Sequence, residues 1–306
     1  MAKHSIYGTT ANMTPAPERD NWRGLKWMFL SVVASSAMTI AARIASQELD
    51  SRMVVLGRGA LTLIAMFALL ALSAKLRRKL QFTNPRSHLI RGFLVAISTQ
   101  MGFYTIATVP LATTTVLFFT APIFATILAI LIHGEKIGPR RIGAIAAGFV
   151  GVLIILRPGF DALELGLITA MGSSLTFAMA LTMSRNLSNA DGPLSTYFSS
   201  VVIMVIVSIP IAAPVMILPD LNLTWIAMIV LIFTSTIRGI GDIEAYRHAD
   251  AALLTPITYL RLVFIGLAAY LFFNETPDTP TLIGAAIIIA STLYIAQRER
   301  ALKGKS

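Results

Sequence analysis

The side chains of this sequence that could do chemistry are few, and most are cations set among apolar residues. Arg261 sits in TYLRLVFIGLAAYLFF (Thr258 to Phe273) and Arg58 in VVLGRGALTLIAMF (Val54 to Phe67), neither of which holds an acid. A guanidinium is a planar fork of donors suited to a carboxylate or another oxyanion, and an ionisable group inside an apolar segment is a functional candidate by default. Thr258, three residues before Arg261, shares its helical face, whereas Tyr259 lies about 200° away and cannot line the same cavity directly. Two readings stay open for Arg261: it meets an anionic group of a cargo, or water and carbonyls freed near Pro256 satisfy it. Arg58 is shallow enough to snorkel toward water, and Gly57 and Gly59 open space beside it for a cargo. Arg238 and Asp242, four apart, suit a helical ion pair; Asp242 or Glu244 could alternatively exchange a proton or another coupling ion. Gln100 and Tyr104, also four apart, offer a hydrogen-bonding patch that serves either as interhelical glue or as part of a site. Phe118 and Phe119 either stack on an apolar cargo or face lipid, and Tyr259 either packs or touches cargo.

Much other chemistry is excluded. The chain has no cysteine, so thiolate metal sites and cysteine nucleophiles are absent, and its four histidines show no H-E-x-x-H spacing. Neither a G-x-x-x-x-G-K-[ST] loop nor a G-x-S-x-G elbow occurs, so no catalytic residue, metal or cofactor is expected. The net charge of +10 lies in loops between apolar runs, which argues for membrane orientation and against nucleic acid as a partner.

The elements that must position these residues are membrane helices. The chain is 56% hydrophobic and 13% charged, and about 20 apolar residues cross a bilayer. Ten spans are expected, at about Gly24 to Ala45, Met53 to Ala74, Leu89 to Val109, Leu111 to His133, Arg141 to Leu156, Glu164 to Ser184, Ser195 to Leu218, Thr224 to Tyr246, Ala251 to Phe273 and Leu282 to Ala296. Turn signals such as Asn84-Pro85 and Asp191-Gly192-Pro193 mark the breaks. With the amino terminus inside, about 20 of the 25 Lys and Arg residues fall on the cytoplasmic side, so both termini are expected there.

Displacing the chain by about 140 residues lays Ala107 to Glu135 over Arg247 to Glu275, matching Ala112 with Ala252, Phe124 with Phe264 and Glu135 with Glu275, and placing Ala121 opposite Arg261. The loop after Glu135 holds Lys136, Arg140 and Arg141 while that after Glu275 holds no cation, so the copies face opposite sides. The expected fold is therefore all-α integral membrane, ten transmembrane helices as two inverted five-helix repeats: residues 24–160 and 161–297, with cytoplasmic tails 1–23 and 298–306. Glu135 and Glu275 are expected to serve helix amino termini, and Gly143, Ala147 and Gly151 to form a packing ridge. Pro110, Pro122, Pro210, Pro214 and Pro256 interrupt helix hydrogen bonding, as ordinary kinks or as points of compliance.

The five-plus-five plan, GEKIGPRRIGAIAAGFVGVLIILRPG (Gly134 to Gly159) and the string from Ala245 to Ala285 resemble EamA-type members of the drug/metabolite transporter superfamily. The resemblance spans about residues 24 to 297 and implies secondary transport or efflux of small organic metabolites through a cavity between the repeats of a bacterial inner-membrane protein. The glutamate that small multidrug members carry in their first span has no counterpart, because Gly24 to Ala45 holds no acid. Beside that resemblance, the buried arginine favours an amino-acid-like or other amphipathic carboxylate as cargo. The partners are then a small molecule, the lipid bilayer and a proton or other coupling ion, in a monomer or homodimer. The competing readings are a membrane-embedded enzyme, against which no acid, histidine or metal cluster converges at one depth, and a sensor, for which no sizeable soluble domain is present.

Overall fold

The computed structural model describes residues 21–133, 139–156, 164–217, 223–249, 254 and 257–303. Every regular element among them is helical: α1 (Asn21–Ala45), α2 (Ser51–Leu72), the short α3 (Ala74–Arg77), α4 (Pro85–Thr108), α5 (Leu111–Phe118), α6 (Ala121–His133), α7 (Pro139–Leu156), α8 (Leu165–Ala212), α9 (Leu223–His248), α10 (Leu260–Phe273) and α11 (Thr279–Lys303). Seven helical stretches are long and apolar enough to cross a membrane, and Ile142–Leu156, Leu260–Phe273 and Thr279–Ile295 are shorter apolar helices. Lipid is the surface these helices require, since Phe29, Ile64, Phe67, Phe233, Val263, Leu271 and Phe272 point outward while Ser35, Thr39, Thr105, Thr114 and Ser208 are buried.

Local chemistry sets the ends. Asp50 caps α2 by accepting from the Arg52 N–H, and Asn84 caps α4 with Pro85 at the first helical position, where a missing N–H costs nothing. Several expected boundaries differ, among them the start of the ninth span, where α10 begins at Leu260, and the end of the tenth, where α11 runs on to Lys303. The fourth span is broken at Phe119–Thr120 into α5 and α6, just ahead of Pro122, whose ring cannot continue the ladder. The sixth and seventh spans run on as one element, α8, bent at Gly192 (φ 81°, ψ 158°), a conformation open to glycine, with Pro193 starting the next half. Pro210 lies inside α8 and Pro214 in the 3-10 turn after it, whereas Glu135 and Pro256 lie outside the described residues.

Packing pairs α1 with α9, α4 with α8, and α7 with α11. Helices approach closely where side chains vanish: a Cβ on Gly241 would stand 3.2 Å from the Trp27 carbonyl oxygen, and one on Gly284 would stand 2.7 Å from that of Gly151. The expected Gly143–Ala147–Gly151 ridge is corrected by one residue. Gly143 and Ala147 are exposed, and α7 packs through Ala144, Gly148, Gly151, Val152 and Ile155. Two adjacent rows of small residues run along this helix, and only contact with α11 decides which faces inward.

Candidate functional site

Arg261 opens the first turn of α10, directly after the Tyr259 break. One terminal nitrogen, Nη2, donates to Thr39 Oγ1 of α1 at 3.3 Å, while Nε is buried and finds no acceptor among the described residues. Thr258 is also turned to α1, with its hydroxyl 3.6 Å from Met28 Sδ and donating to the Leu254 carbonyl, so the shared face expected of these two is present. Tyr259 points elsewhere. Its ring packs on Phe119 at 4.9 Å between centroids, and its buried hydroxyl, near Thr292 of α11, makes no bond of proper geometry.

Arg58 corrects an expectation. It does not snorkel; its guanidinium turns inward over the Phe103 ring at 5.1 Å, Nη2 lies 3.3 Å from Met204 Sδ, and Nε is buried without an acceptor among the described residues. The aromatic face supplies what water would have supplied. Nor do Gly57 and Gly59 leave space, since a Cβ at either would stand 2.8 Å from the methyl of Met228 or Met204. The glycines admit the methionines of neighbouring helices and so hold Arg58 in the interior.

Arg238 and Asp242 form the expected i,i+4 pair at 3.7 Å on α9, and Ser31 of α1 donates to the same carboxylate. Glu244 lies 3.5 Å from His248 one turn on. The charge of Arg238 acts on both Arg58 and Arg261, and that of Asp242 acts on Arg261, so three guanidiniums and one carboxylate share one electrostatic neighbourhood. Such a region carries surplus positive charge and buried donors, each of which costs about 1–3 kcal/mol while unsatisfied. An oxyanion would satisfy both. Among the described residues no group of three or more His, Asp or Glu could hold a metal ion.

Gln100 and Tyr104 part company. Gln100 Nε2 donates to Ser208 Oγ of α8 at 3.0 Å and acts as glue, whereas Tyr104 lines a cavity of about 560 Å³ with Leu49, Asp50, Arg52 and Thr108. At that mouth, Arg52 holds the Asp50 carboxyl below the usual carboxylate range through paired bonds of 2.9 and 2.8 Å. Of the two readings for Phe118 and Phe119, exposure to lipid is removed: both face the interior, Phe118 against two buried clusters and Phe119 against Tyr259 beside the α5–α6 break.

Residues 22–157 and 164–297 each match the EamA-like transporter family. The chain belongs to that family. It is a multi-pass membrane protein built to move small metabolites. It is 30% identical to an S-adenosylmethionine uptake transporter of Rickettsia bellii, over 92% of this chain and 96% of that one. It is also 29% identical to a riboflavin transporter of Vibrio cholerae, over 90% of this chain and 94% of that one. A crystal structure sharing 15% identity superposes with a TM-score of 0.60 over 91% of this chain and 98% of that one, and so shares the fold.

Within this family member, sequence reading passed over two groups. Arg43 was not singled out, yet it donates to the Ile106 and Ala107 carbonyls at 2.7 and 2.6 Å and pairs with Glu275 at 2.9 Å. Glu275 does serve a helix amino terminus, that of α5, by accepting from the Leu111 N–H at 2.7 Å, not that of the helix following it. His88 and Asp191, taken respectively as an unremarked histidine and a turn residue, are buried and 2.9 Å apart. They are 103 positions apart, so no linear spacing points to them.

Proposed function

We propose that this protein is a secondary active transporter that carries small organic metabolites bearing an anionic group across the cytoplasmic membrane by alternating access. The single observation that carries the reading is the buried guanidinium of Arg261, held by one long bond to Thr39, with its Nε lacking an acceptor among the described residues. Arg58 is the second recognition cation, Thr258 the polar companion of Arg261, and Tyr259 and Phe118 apolar walls. Arg238 and Asp242 balance charge when cargo leaves.

Ten spans in two inverted halves, at about residues 24–160 and 161–297, complete the proposal, with both termini cytoplasmic. Packing supports that plan. Exchanging the halves converts the α1–α9 pair into the pair made by α4 and the first half of α8, and both are prominent contacts. Under the 140-residue displacement Phe119 corresponds to Tyr259; both occupy helix breaks, and their rings touch, as mates beside a two-fold axis must. Single cysteines are clean probes in a cysteine-free chain. Placed at positions 86 and 276, they should react with an impermeant reagent from opposite faces, and labelling from one face sinks the inverted plan.

The deciding experiment is uptake into proteoliposomes of S-adenosylmethionine, which has a carboxylate, and of riboflavin, which has none, each competed by an amino-acid carboxylate and by its neutral amide. Preferential inhibition by the carboxylate, abolished in Arg261→Ala, is expected. Equal inhibition by acid and amide removes the anion-reading role and leaves the family assignment. The relative named for uptake supports import, where the resemblance implied efflux; sided reconstitution reads the direction.

A further inference from the structure

At the start of α4 a buried polar cluster lies outside the arginine region. His88 is 4% exposed and Asp191 2% exposed, although each carries a polar or ionisable group. His88 Nε2 lies 2.9 Å from Asp191 Oδ2, and Nδ1 lies 2.7 Å from Ser199 Oγ. Asp191 also accepts from the Thr83 N–H at 3.1 Å and the Thr83 hydroxyl at 2.6 Å. Phe82 covers the imidazole edge-on at 5.1 Å between ring centroids. Among the described residues, the charged ones bonded into the surroundings are Arg91, one turn along α4 and held by Ser184, Ser200 and the Thr196 carbonyl, and Lys79, which enters through its main-chain oxygen on Ser195.

This wiring accommodates the imidazole in two states. When neutral, Nε2–H donates to the Asp191 carboxylate and the Ser199 hydroxyl donates to Nδ1. When a proton is added at Nδ1, Nδ1–H donates to Ser199 Oγ and the hydroxyl hydrogen rotates to the Thr196 carbonyl, already within 3.1 Å. Taking up the proton therefore breaks no bond that it does not replace, and it converts a buried carboxylate held by neutral donors into a neutral ion pair. The pair also joins two elements: Thr83 lies in the connection entering α4 and His88 in the first turn of α4, while Asp191 adjoins Gly192, the bend of α8.

We propose that His88 and Asp191 form a proton-binding site whose occupancy latches the start of α4 to the bend of α8. With the proton bound, imidazolium and carboxylate attract across the junction; as pH rises and the proton leaves, the carboxylate keeps neutral donors only and the junction loosens.

The test needs no substrate, so its failure is separate from failure of the transport reading. Spin labels on Arg86→Cys and Ala190→Cys, both exposed positions, report the separation across the latch in full-length protein. Between about pH 5 and pH 8 the separated population should grow by roughly two-fold or more, and in His88→Gln it should be the same at both ends. A distribution that ignores pH, or a pH response that persists in His88→Gln, overturns the proposal. If His88→Gln does not fold, nuclear magnetic resonance of a variant with His4, His133 and His248 replaced, leaving His88 as its one histidine, decides the point. An imidazole that fails to change protonation over that range overturns it, and one that titrates in step with the label separation supports it.

Discussion

Arg43 and Arg261 lie in different helices of one apolar bundle and are treated in opposite ways. Arg43 has two carbonyls at the end of α4 and the carboxylate of Glu275, which in turn holds the first N–H of α5. Asn274 makes that possible: its left-handed conformation (φ 53°, ψ 30°) ends α10 and swings Glu275 back to the α4–α5 junction. Among the described residues Arg261 has one 3.3 Å bond and a buried Nε without an acceptor. A cation whose donors are filled by the fold belongs to the fold; one with a buried donor left without an acceptor among the described residues is the candidate for a ligand. The contrast sorts buried charge by satisfaction, where burial alone would treat the two alike.

The strongest way to break this comparison is at Glu275. Glu275→Gln should lower stability on the order of 3 kcal/mol, because it strands the Arg43 charge and weakens the α5 cap together, and unfolding in detergent reads it. Wild-type stability in that variant would strip the Arg43–Glu275 network of its structural role. Next is Arg261→Ala, expected to leave unfolding unchanged while cutting transport on the order of ten- to a hundred-fold, with poor rescue by Lys because a point charge lacks the planar fork. An equal loss of stability there would make the two arginines the same kind of residue. Arg58→Ala should cost less transport, a few-fold, since its contact with Phe103 contributes about 1 kcal/mol or so in the resting protein and must be given up on binding.

Gln100→Leu sharpens the scale: loss of one interhelical bond to Ser208 should cost about 0.6 kcal/mol with transport retained. The smallest effect belongs to pH at the cavity lined by Asp50 and Tyr104. The Asp50 value is lowered in the folded protein, so its pairing with Arg52 is fully present above the ordinary carboxylate range and is lost only as pH falls through the lowered value. Tyrosine fluorescence of a variant keeping Tyr104 should accordingly stay flat from about pH 5 to pH 8, in contrast to the His88 labels.

The helices were legible because lipid imposes a crude rule on composition: twenty apolar residues in a row have few other places to go. The Arg238–Asp242 pair was legible because i,i+4 spacing is fixed by a single helix. Direction of a side chain across helices was not. Arg58 was expected to reach for water and turned to Phe103, and Phe118 and Phe119 were assigned a choice between lipid and cargo that the α5–α6 break resolved toward the interior.

What the sequence alone determined, then, is the kind of solvent, the family and the rarity of buried charge, all properties of local composition and spacing. Tertiary structure decided which buried charges are answered. Arg43 meets Glu275 across 232 positions and His88 meets Asp191 across 103, while no acid among the described residues forms an ion pair with Arg261. Hydrogen bonds act over about 3 Å, so whether a donor is satisfied depends on which helices the fold brings side by side, and the order of residues along the chain does not contain that distance.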